Sequence, residues 1–164
     1  MDFVIVTLAD GRKARALTVL DLYTRDSLAV RADARFTGDM VVRVLEELKS
    51  RRRVPASIRV DNGPEFAGRS LDLWAYCSKV VLDFSRPGMP TDTAFIESFN
   101  GRLRAECLEP HWFLCLEDLR AETERWRVEY NRERPHSAAG NLAPEEFAAK
   151  RAGKTTSDQG SELA

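Results

Sequence analysis

Along the first fifth of the chain, hydrophobic and polar residues follow the pattern of short β strands. Residues 2–8 are apolar on both alternating faces, which predicts a central strand that is covered on both sides. The following Asp10-Gly11 pair is a hairpin turn signal. Two further apolar stretches predict a second strand over 14–22 and a third over 27–30. Three strands so closely spaced indicate an antiparallel meander.

The period of the pattern then changes from that of a strand to that of a helix. Apolar residues between positions 38 and 51 recur at i, i+3, i+4 and i+7, which predicts an amphipathic helix. Strands and helices alternate from there on. The predicted elements are a strand over 57–61, a helix that opens near Ser70, a strand over 80–84, and helices over 93–109, over 117–131 and from Pro144 onward.

This order of elements predicts an α/β domain over residues 1–150. Three antiparallel strands followed by two parallel ones would form a five-stranded mixed sheet with helices on both faces. Strand one should lie between strands two and four. The remaining segment, 151–164, is polar and is predicted to be a disordered tail.

Composition narrows the possible functions. The chain has 164 residues, 43% hydrophobic and 31% charged, as is typical of one globular domain. Its net charge of −1 means that any nucleic acid must be bound by a local basic patch. Three cysteines without a CxxC pair suggest reduced thiols and a cytoplasmic location. Neither a membrane span nor a signal peptide is predicted.

Three carboxylates are candidates for chemistry. Asp2 lies in the predicted central strand, and Asp61 ends strand four before a sharp Asn-Gly-Pro turn. Functional groups gather at the carboxyl ends of strands in open α/β sheets. Glu97 lies on a helical face different from the buried one, together with Asn100 and Arg104. Carboxylates crowded together would repel without a cation, and oxygen ligands suit Mg²⁺ or Mn²⁺.

Each carboxylate also has an ordinary structural explanation. An Asp before Asn-Gly is usually a turn former, a Glu on a helix is usually solvated, and a residue at a chain terminus can fray. Cys107, His111 and Cys115 are evenly spaced, but they lack a fourth ligand and Pro110 interrupts them, so zinc is not predicted.

Two motifs resemble those of bacterial insertion-sequence transposases with a DDE-type integrase core. They are DNGPEF (61–66) and AFIESFNGRLRAEC (94–107), and 35 residues separate Asp61 from Glu97, as in the "D, D-35-E" signature. YNRERPHSAAGNLAPEEF (130–147) is similar to the C-terminal signature of the family. The resemblance is to the second reading frame of insertion-sequence family three and, more widely, to the retroviral integrase catalytic core.

The resemblance implies a ribonuclease-H-like fold and a polynucleotidyl transferase that cleaves DNA strands and joins them during transposition. Asp2, Asp61 and Glu97 would be catalytic and would hold two Mg²⁺ or Mn²⁺ ions. Asn100, Arg102 and Arg104 are candidate DNA-binding residues. Expected partners are the element ends and target DNA, a DNA-binding transposase part and further copies of the chain, in the bacterial cytoplasm and on the nucleoid.

Two alternatives remain open at this stage. Because the chain starts at its catalytic strand, we expect half of that strand and an upstream helix-turn-helix to be absent. The protein could then be a truncated, catalytically inactive remnant that folds or associates with full-length transposase. The segment 120–134 carries five Arg and four Glu, and is equally compatible with an ion-paired exposed helix and with a DNA-binding surface.

Overall fold

The computed structural model describes residues 1–86, 94–135 and 140–150. Its first three strands pair antiparallel in the order β1 (Asp2–Thr7), β2 (Lys13–Leu20) and β3 (Ser27–Asp33). This is the predicted meander. Strand β3 extends three residues beyond the prediction because its later residues continue the ladder, as far as Asp33 opposite Arg15.

Helices and two parallel strands follow the meander. The fourth and fifth strands of the chain pair in parallel along their whole length. In chain order the elements are α1 (Gly38–Arg51), β4 (Ser57–Val60), α2 (Arg69–Ser78), β5 (Val81–Phe84), α3 (Ala94–Leu103), α4 (Leu116–Glu133) and a helix over 144–150. In the described ranges, no helix has both the length and the apolar character needed to cross a membrane.

The five strands hydrogen-bond as two sheets, with three strands in one and two in the other. The two sheets approach each other at Met1, whose amino nitrogen donates a 2.6 Å hydrogen bond to the carbonyl oxygen of Arg59 in β4. The predicted α/β class, with antiparallel strands followed by parallel ones, is confirmed. The prediction of one continuous sheet is modified, because β1 meets β4 at the first residue of the chain and forms no ladder with it.

Strand β1 divides the hydrophobic core into two parts. Its residues Val4 and Val6 are buried in a cluster with side chains of α3 and α4, among them Phe99 and Trp126. Met1, just before β1, belongs to a second cluster with side chains of α1, β4 and α2. The face of β1 that carries Val4 and Val6 is therefore buried, whereas Ile5 on the other face is 62% exposed and Thr7 is exposed as well. The prediction of a strand covered on both sides is wrong for the second half of β1, because β4 meets β1 only at Met1.

The helix predicted over 93–109 has two parts. After α3 the chain forms a π-helical segment, Arg104–Leu108, in which the backbone N–H of Glu109 bonds to the carbonyl of Arg104 over 2.8 Å. The wider turn buries both Cys107 and Leu108 against the α4 side of the core. Hydrophobic periodicity predicts a helix here, but it does not distinguish an α-helical turn from a π-helical one.

Candidate active site

Asp2 is held at the start of β1 by two groups that bond its carboxylate. Its own strand contributes the backbone N–H of Phe3, which donates to Oδ1 over 2.7 Å. Helix α3 contributes Asn100, whose Nδ2 donates to Oδ2 over 2.7 Å. The Asp2 carbonyl also accepts a 3.1 Å hydrogen bond from the hydroxyl of Thr18 in β2. The carboxylate is therefore half-buried at a junction of β1, β2 and α3.

Asp61 follows β4 directly, and its carboxylate closes the next turn. The backbone N–H of Gly63 donates to Asp61 Oδ1 over 2.9 Å, an arrangement typical of Asp in such turns. A Cβ atom on Gly63 would lie 2.9 Å from that same oxygen. The amide of Asn62 donates to the carbonyl of Ser85 over 3.0 Å, which ties the turn to the end of β5. The Asn-Gly sequence thus fixes the Asp61 carboxylate rather than only reversing the chain.

The turn after Asp61 is also fixed to the three-stranded sheet. Glu65 forms an ion pair with Arg15 of β2, and this pair lowers the pKa of the Glu65 carboxyl. The Arg15 guanidinium lies 4.1 Å from the centre of the Phe3 ring, which stacks on Phe66 at 5.1 Å. Phe3 follows Asp2 directly in the sequence, and Phe66 lies at the end of the turn that Asp61 begins. Their packing holds the two segments together across the gap between the sheets.

Asp2 and Asp61 interact electrostatically. Burial raises the pKa of Asp2, and the negative charge of Asp61 raises it further, while the hydrogen bonds from Phe3 and Asn100 act in the opposite direction. Burial also lowers the pKa of the Met1 amino group from 8.0 to about 6, against the attraction of both aspartates. A carboxylate that is half-buried beside a second carboxylate belongs to a donor set that a divalent cation would stabilise.

Glu97 lies on α3, one turn before Asn100. Its side chain is exposed, whereas Ile96 and Phe99 on either side of it are buried. Within residues 1–86, 94–135 and 140–150, no three Asp, Glu, His or Cys side chains are close enough to hold a metal ion. The structure thus brings Asp2 and Asp61 together, and it places the helix of Glu97, though not a closed three-carboxylate site, next to Asp2.

Asn100 has a place that the sequence did not predict. It was expected in the cleft as a DNA-binding residue, but only 1% of its surface is exposed. A side chain so deeply buried does not reach a DNA phosphate in this structure, and its amide bonds Asp2 instead. The only signal in the sequence is its position four residues after Ile96, on the edge of the buried face. Arg102 and Arg104 are exposed on the same helical segment, and DNA contact stays a prediction for them.

Segment 120–134 was equally compatible with an ion-paired exposed helix and with a DNA-binding surface, and its ion pairs distinguish between the two. Arg125 and Arg127 in α4 pair with Glu122 and Glu124 one turn earlier. Arg120 instead reaches Asp33 at the end of β3, at 2.6 Å. The pattern favours the ion-paired helix, because these arginines already have carboxylate partners within the fold.

The sequence matches a family model described as "Integrase core domain" over residues 1–90, and a second model with the same description over residues 78–144. The chain belongs to the integrase core domain family. The predicted resemblance is thereby confirmed on the same segments that carry Asp2, Asp61 and Glu97.

Proteins of bacterial insertion elements are similar to this integrase core. The "Insertion element IS407 uncharacterized 31.7 kDa protein" of Burkholderia multivorans is 46% identical over 150 residues, covering 92% of this chain and 54% of the relative. "Transposase InsF for insertion sequence IS3A" of Escherichia coli is 31% identical over 134 residues, covering 79% of this chain and 46% of the relative. The chain spans about half the length of these relatives.

Solved viral integrases have the same fold. The catalytic core domain of HTLV-2 integrase in complex with magnesium superposes with a TM-score of 0.70 at 13% identity, covering 89% of this chain and 91% of that one. The catalytic core domain of BIV integrase gives a TM-score of 0.64 at 15% identity, covering 94% and 95%. The predicted ribonuclease-H-like fold is confirmed.

Proposed function

We propose that this integrase core is the catalytic domain of an insertion-sequence transposase, and that Asp2, Asp61 and Glu97 are its metal-binding catalytic residues. The observation that carries the proposal is that Asp2 at the start of β1 and Asp61 just after β4 are brought near each other, by the Met1–Arg59 hydrogen bond and the stacking of Phe3 on Phe66, so that the charge of Asp61 acts on Asp2. Two like charges held near each other repel, and a divalent cation bound between them would remove that cost.

Helix α3 supplies the third ligand in this proposal. The hydrogen bond from Asn100 to Asp2 holds the helix against β1, and Glu97 is one turn away from Asn100 on the same helix. A small displacement of an exposed Glu side chain could then complete the site. Two divalent ions, when bound, would stabilise both the attacking and the leaving oxygen of a phosphoryl transfer.

The reaction that fits this site is the transfer of a DNA strand. The 3′-hydroxyl oxygen of a freed element end attacks a phosphorus atom of target DNA, and a new P–O bond forms. The P–O bond to the 3′ oxygen of the target breaks, that oxygen leaves, and the attacking hydroxyl loses its proton. The protein contributes positioning and charge, with no covalent enzyme intermediate.

The proposed partners are the element ends and target DNA, further copies of the chain, and a DNA-binding transposase part. The length of the insertion-element relatives, about twice that of this chain, supports such a part. The HTLV-2 catalytic core has been solved in dimeric and trimeric forms, which supports self-association. The proposed place of action is the nucleoid in the bacterial cytoplasm.

A strand-transfer assay tests the proposal. Labelled DNA that carries the terminal repeats of the element is incubated with the protein and Mn²⁺, and joined products are separated by size. Asp61→Asn and Glu97→Gln should abolish the products and weaken Mn²⁺ binding measured by calorimetry. Asp72→Asn and Glu117→Gln, at exposed positions of α2 and α4, are matched controls that should change neither.

The assay also separates the proposal from its alternative. If the protein binds Mn²⁺ through Asp61 and Glu97 but gives no joined product with any terminal-repeat DNA, the inactive remnant is the better description. If Mn²⁺ binding is the same in both variants and in their controls, the three-carboxylate site itself is wrong.

A further inference from the structure

Three arginines from distant parts of the chain act on the side chain of Tyr130 in α4. Burial raises the pKa of the Tyr130 hydroxyl to about 12. The positive charges of Arg102, Arg134 and Arg25 act on the same hydroxyl in the opposite direction. Only 5% of Tyr130 is exposed, and its ring packs edge-on against Phe99 of α3 at 5.1 Å. Arg25, Arg102 and Arg134, called the arginine cluster below, therefore converge where α3 meets the end of α4.

Two guanidinium groups of the cluster have hydrogen-bonding capacity that the described residues do not use. Arg134 forms an ion pair with Glu106 through Nη2, but its Nη1 is buried and has no hydrogen-bond partner in the described ranges. The guanidinium carbon of Arg25 lies 3.7 Å from the centre of the Phe95 ring, and Nη1 of Arg25 is also buried without a partner there. Buried donors without acceptors cost free energy. Both side chains are only partly buried, so a small rotation would present these donors to an anion arriving from solvent.

The backbone at Arg25 adopts a conformation that arginine does not favour. Its φ of 65° lies in the left-handed region, which Gly and Asn adopt at lower cost. The loop between β2 and β3 holds it there, because the backbone N–H of Arg25 donates to the carbonyl of Asp21 over 2.9 Å. Residues in such conformations are concentrated at binding and catalytic sites. An arginine at this position indicates a role for its side chain that offsets the backbone cost.

The arginine cluster and Glu97 lie on different flanks of α3. Phe95, Phe99 and Arg102 are four and three residues apart, so they follow one side of the helix. Glu97, two residues after Phe95, leaves the helix in nearly the opposite direction. A helix with its side chains is about 10–12 Å wide, so an anion at the arginine cluster would lie roughly that far from Glu97. Such an anion is not the group that reacts at the proposed catalytic site.

A phosphate of the DNA backbone is the anion that suits this position. Guanidinium groups match the oxygens of a phosphate with paired N–H donors. Arg102 is exposed, which leaves the cluster open to a long ligand. The major groove of DNA is about 12 Å wide, close to the width of the helix. A duplex with one strand at Glu97 would therefore bring a phosphate of its other strand to about the distance of the cluster.

We propose that Arg25, Arg102 and Arg134 bind one backbone phosphate of DNA on the flank of α3 opposite Glu97. The choice of DNA as the ligand rests on the proposed function. The phosphate held there does not react, and its contact carries no sequence information. The site sets the position of the duplex relative to Glu97.

DNA binding in the absence of metal tests the proposal. A fluorescently labelled duplex is titrated with the full chain in EDTA, and anisotropy gives the affinity at several salt concentrations. Arg25→Asn and Arg134→Gln should each weaken binding about 3- to 10-fold at low salt. Together they should reduce the slope of log K against log salt by about 1, as expected for one phosphate. A reduction by about 2 would mean two separate phosphate contacts and would overturn the shared site. Arg132→Gln, whose guanidinium pairs with Glu145 at 3.4 Å, is the matched control and should change neither value.

Urea unfolding separates phosphate binding from a purely structural role of Arg25. Asn tolerates the left-handed backbone better than Arg, so Arg25→Asn should be as stable as the unmodified chain or more stable, while it binds DNA more weakly. Loss of stability with unchanged DNA affinity would overturn the proposal, since Arg25 would then serve only to pack on Phe95.

Inorganic phosphate distinguishes DNA from a small phosphate ligand. At equal ionic strength, replacing chloride by about 1 mM phosphate should not raise Tm, because a single phosphate lacks the other contacts of a duplex. If phosphate raises the Tm of the unmodified chain but not that of Arg25→Asn, the cluster takes a small phosphate and the DNA proposal is overturned.

The effects on DNA binding should also appear in the Asp61→Asn background, because they need neither metal nor the three carboxylates. If the arginine variants bind DNA as the unmodified chain does, the phosphate site is wrong and the proposed catalysis is unaffected. If the binding effects are present but no joined product forms, the phosphate site is supported and the proposed catalysis fails.

Discussion

Asn100 of α3 donates a hydrogen bond from Nδ2 to Oδ2 of Asp2 over 2.7 Å, and so joins the helix of Glu97 to the first strand. The other amide atom, Oδ1 of Asn100, is buried and has no hydrogen-bond partner among the described residues. A buried polar atom in this state costs free energy, which indicates that the position of the amide serves Asp2 rather than stability alone.

Asn100→Ala should separate these two roles. We expect a loss of about 1 kcal/mol in the free energy of unfolding, at the low end for a buried hydrogen bond, because the unpaired Oδ1 is removed as well. Mn²⁺ affinity should fall about 10- to 100-fold, as it does when a ligand loses the group that orients it. Urea unfolding and calorimetry measure the two effects. Ser98→Ala, at an exposed position of the same helix, is the control. Unchanged Mn²⁺ affinity in Asn100→Ala would show that Asp2 needs no support from α3.

Gly63→Ala should displace the carboxylate of Asp61. The added Cβ would lie 2.9 Å from Asp61 Oδ1, closer than side chains tolerate, so the carboxylate must move. We expect the protein to fold with Mn²⁺ affinity reduced about tenfold or more. Gly101→Ala provides a contrast, because no atom lies within 4 Å of its added Cβ. In helix α3 that change should stabilise the fold by up to about 1 kcal/mol without weakening Mn²⁺ binding.

Cys77 and Cys107 should react with thiol reagents at very different rates. Cys77 is exposed, whereas Cys107 is buried. Burial raises the pKa of the Cys107 thiol from 9.0 to about 12, and the charge of Glu122 contributes in the same direction. At pH 8, labelling followed by mass spectrometry should modify Cys77 rapidly and Cys107 only after unfolding. Equal rates in the folded protein would contradict the burial of Cys107.

The same pKa shift makes stability depend on pH in the alkaline range. Below pH 9 the Cys107 thiol is protonated in both states, so it has no effect on the unfolding equilibrium. Between pH 9 and about 12 only the unfolded chain loses this proton, so the free energy of unfolding should decrease as pH rises. Cys107→Ala should show a smaller decrease between pH 8 and pH 10, by about 1 kcal/mol. Identical pH profiles for the two proteins would exclude this contribution.

DNA binding by the chain alone should be weak and independent of sequence. The net charge is −1, so affinity depends on a local patch and should fall steeply with salt. Arg102→Gln and Arg104→Gln should each reduce the slope of log K against log salt by about 1. Arg120→Gln, whose guanidinium already pairs with Asp33, is the control. Tight, sequence-selective binding to one duplex at physiological salt would reveal a recognition element that we have not identified.

The elements of the fold could be predicted because each depends on neighbours in the chain. Apolar spacing predicts the strands of the meander and the helix α1 within a few residues, since burial of one face produces that spacing directly. The turn after Asp61 is equally local: Asn62 and Gly63 favour it, and the Asp61 carboxylate accepts from the Gly63 N–H. The motifs that contain Asp61 and Glu97 also lie within single segments.

The relations between segments were decided by the tertiary structure. Periodicity predicts that a face of α3 is buried, but it does not specify which residue meets it, so the bond from Asn100 to Asp2 could not be predicted. The ion pair between Arg15 and Glu65 joins positions 50 residues apart for the same reason. The division into two sheets depends on where β1 meets β4. Packing and hydrogen bonding between distant segments determine such pairings. A local pattern of hydrophobic and polar residues does not specify them.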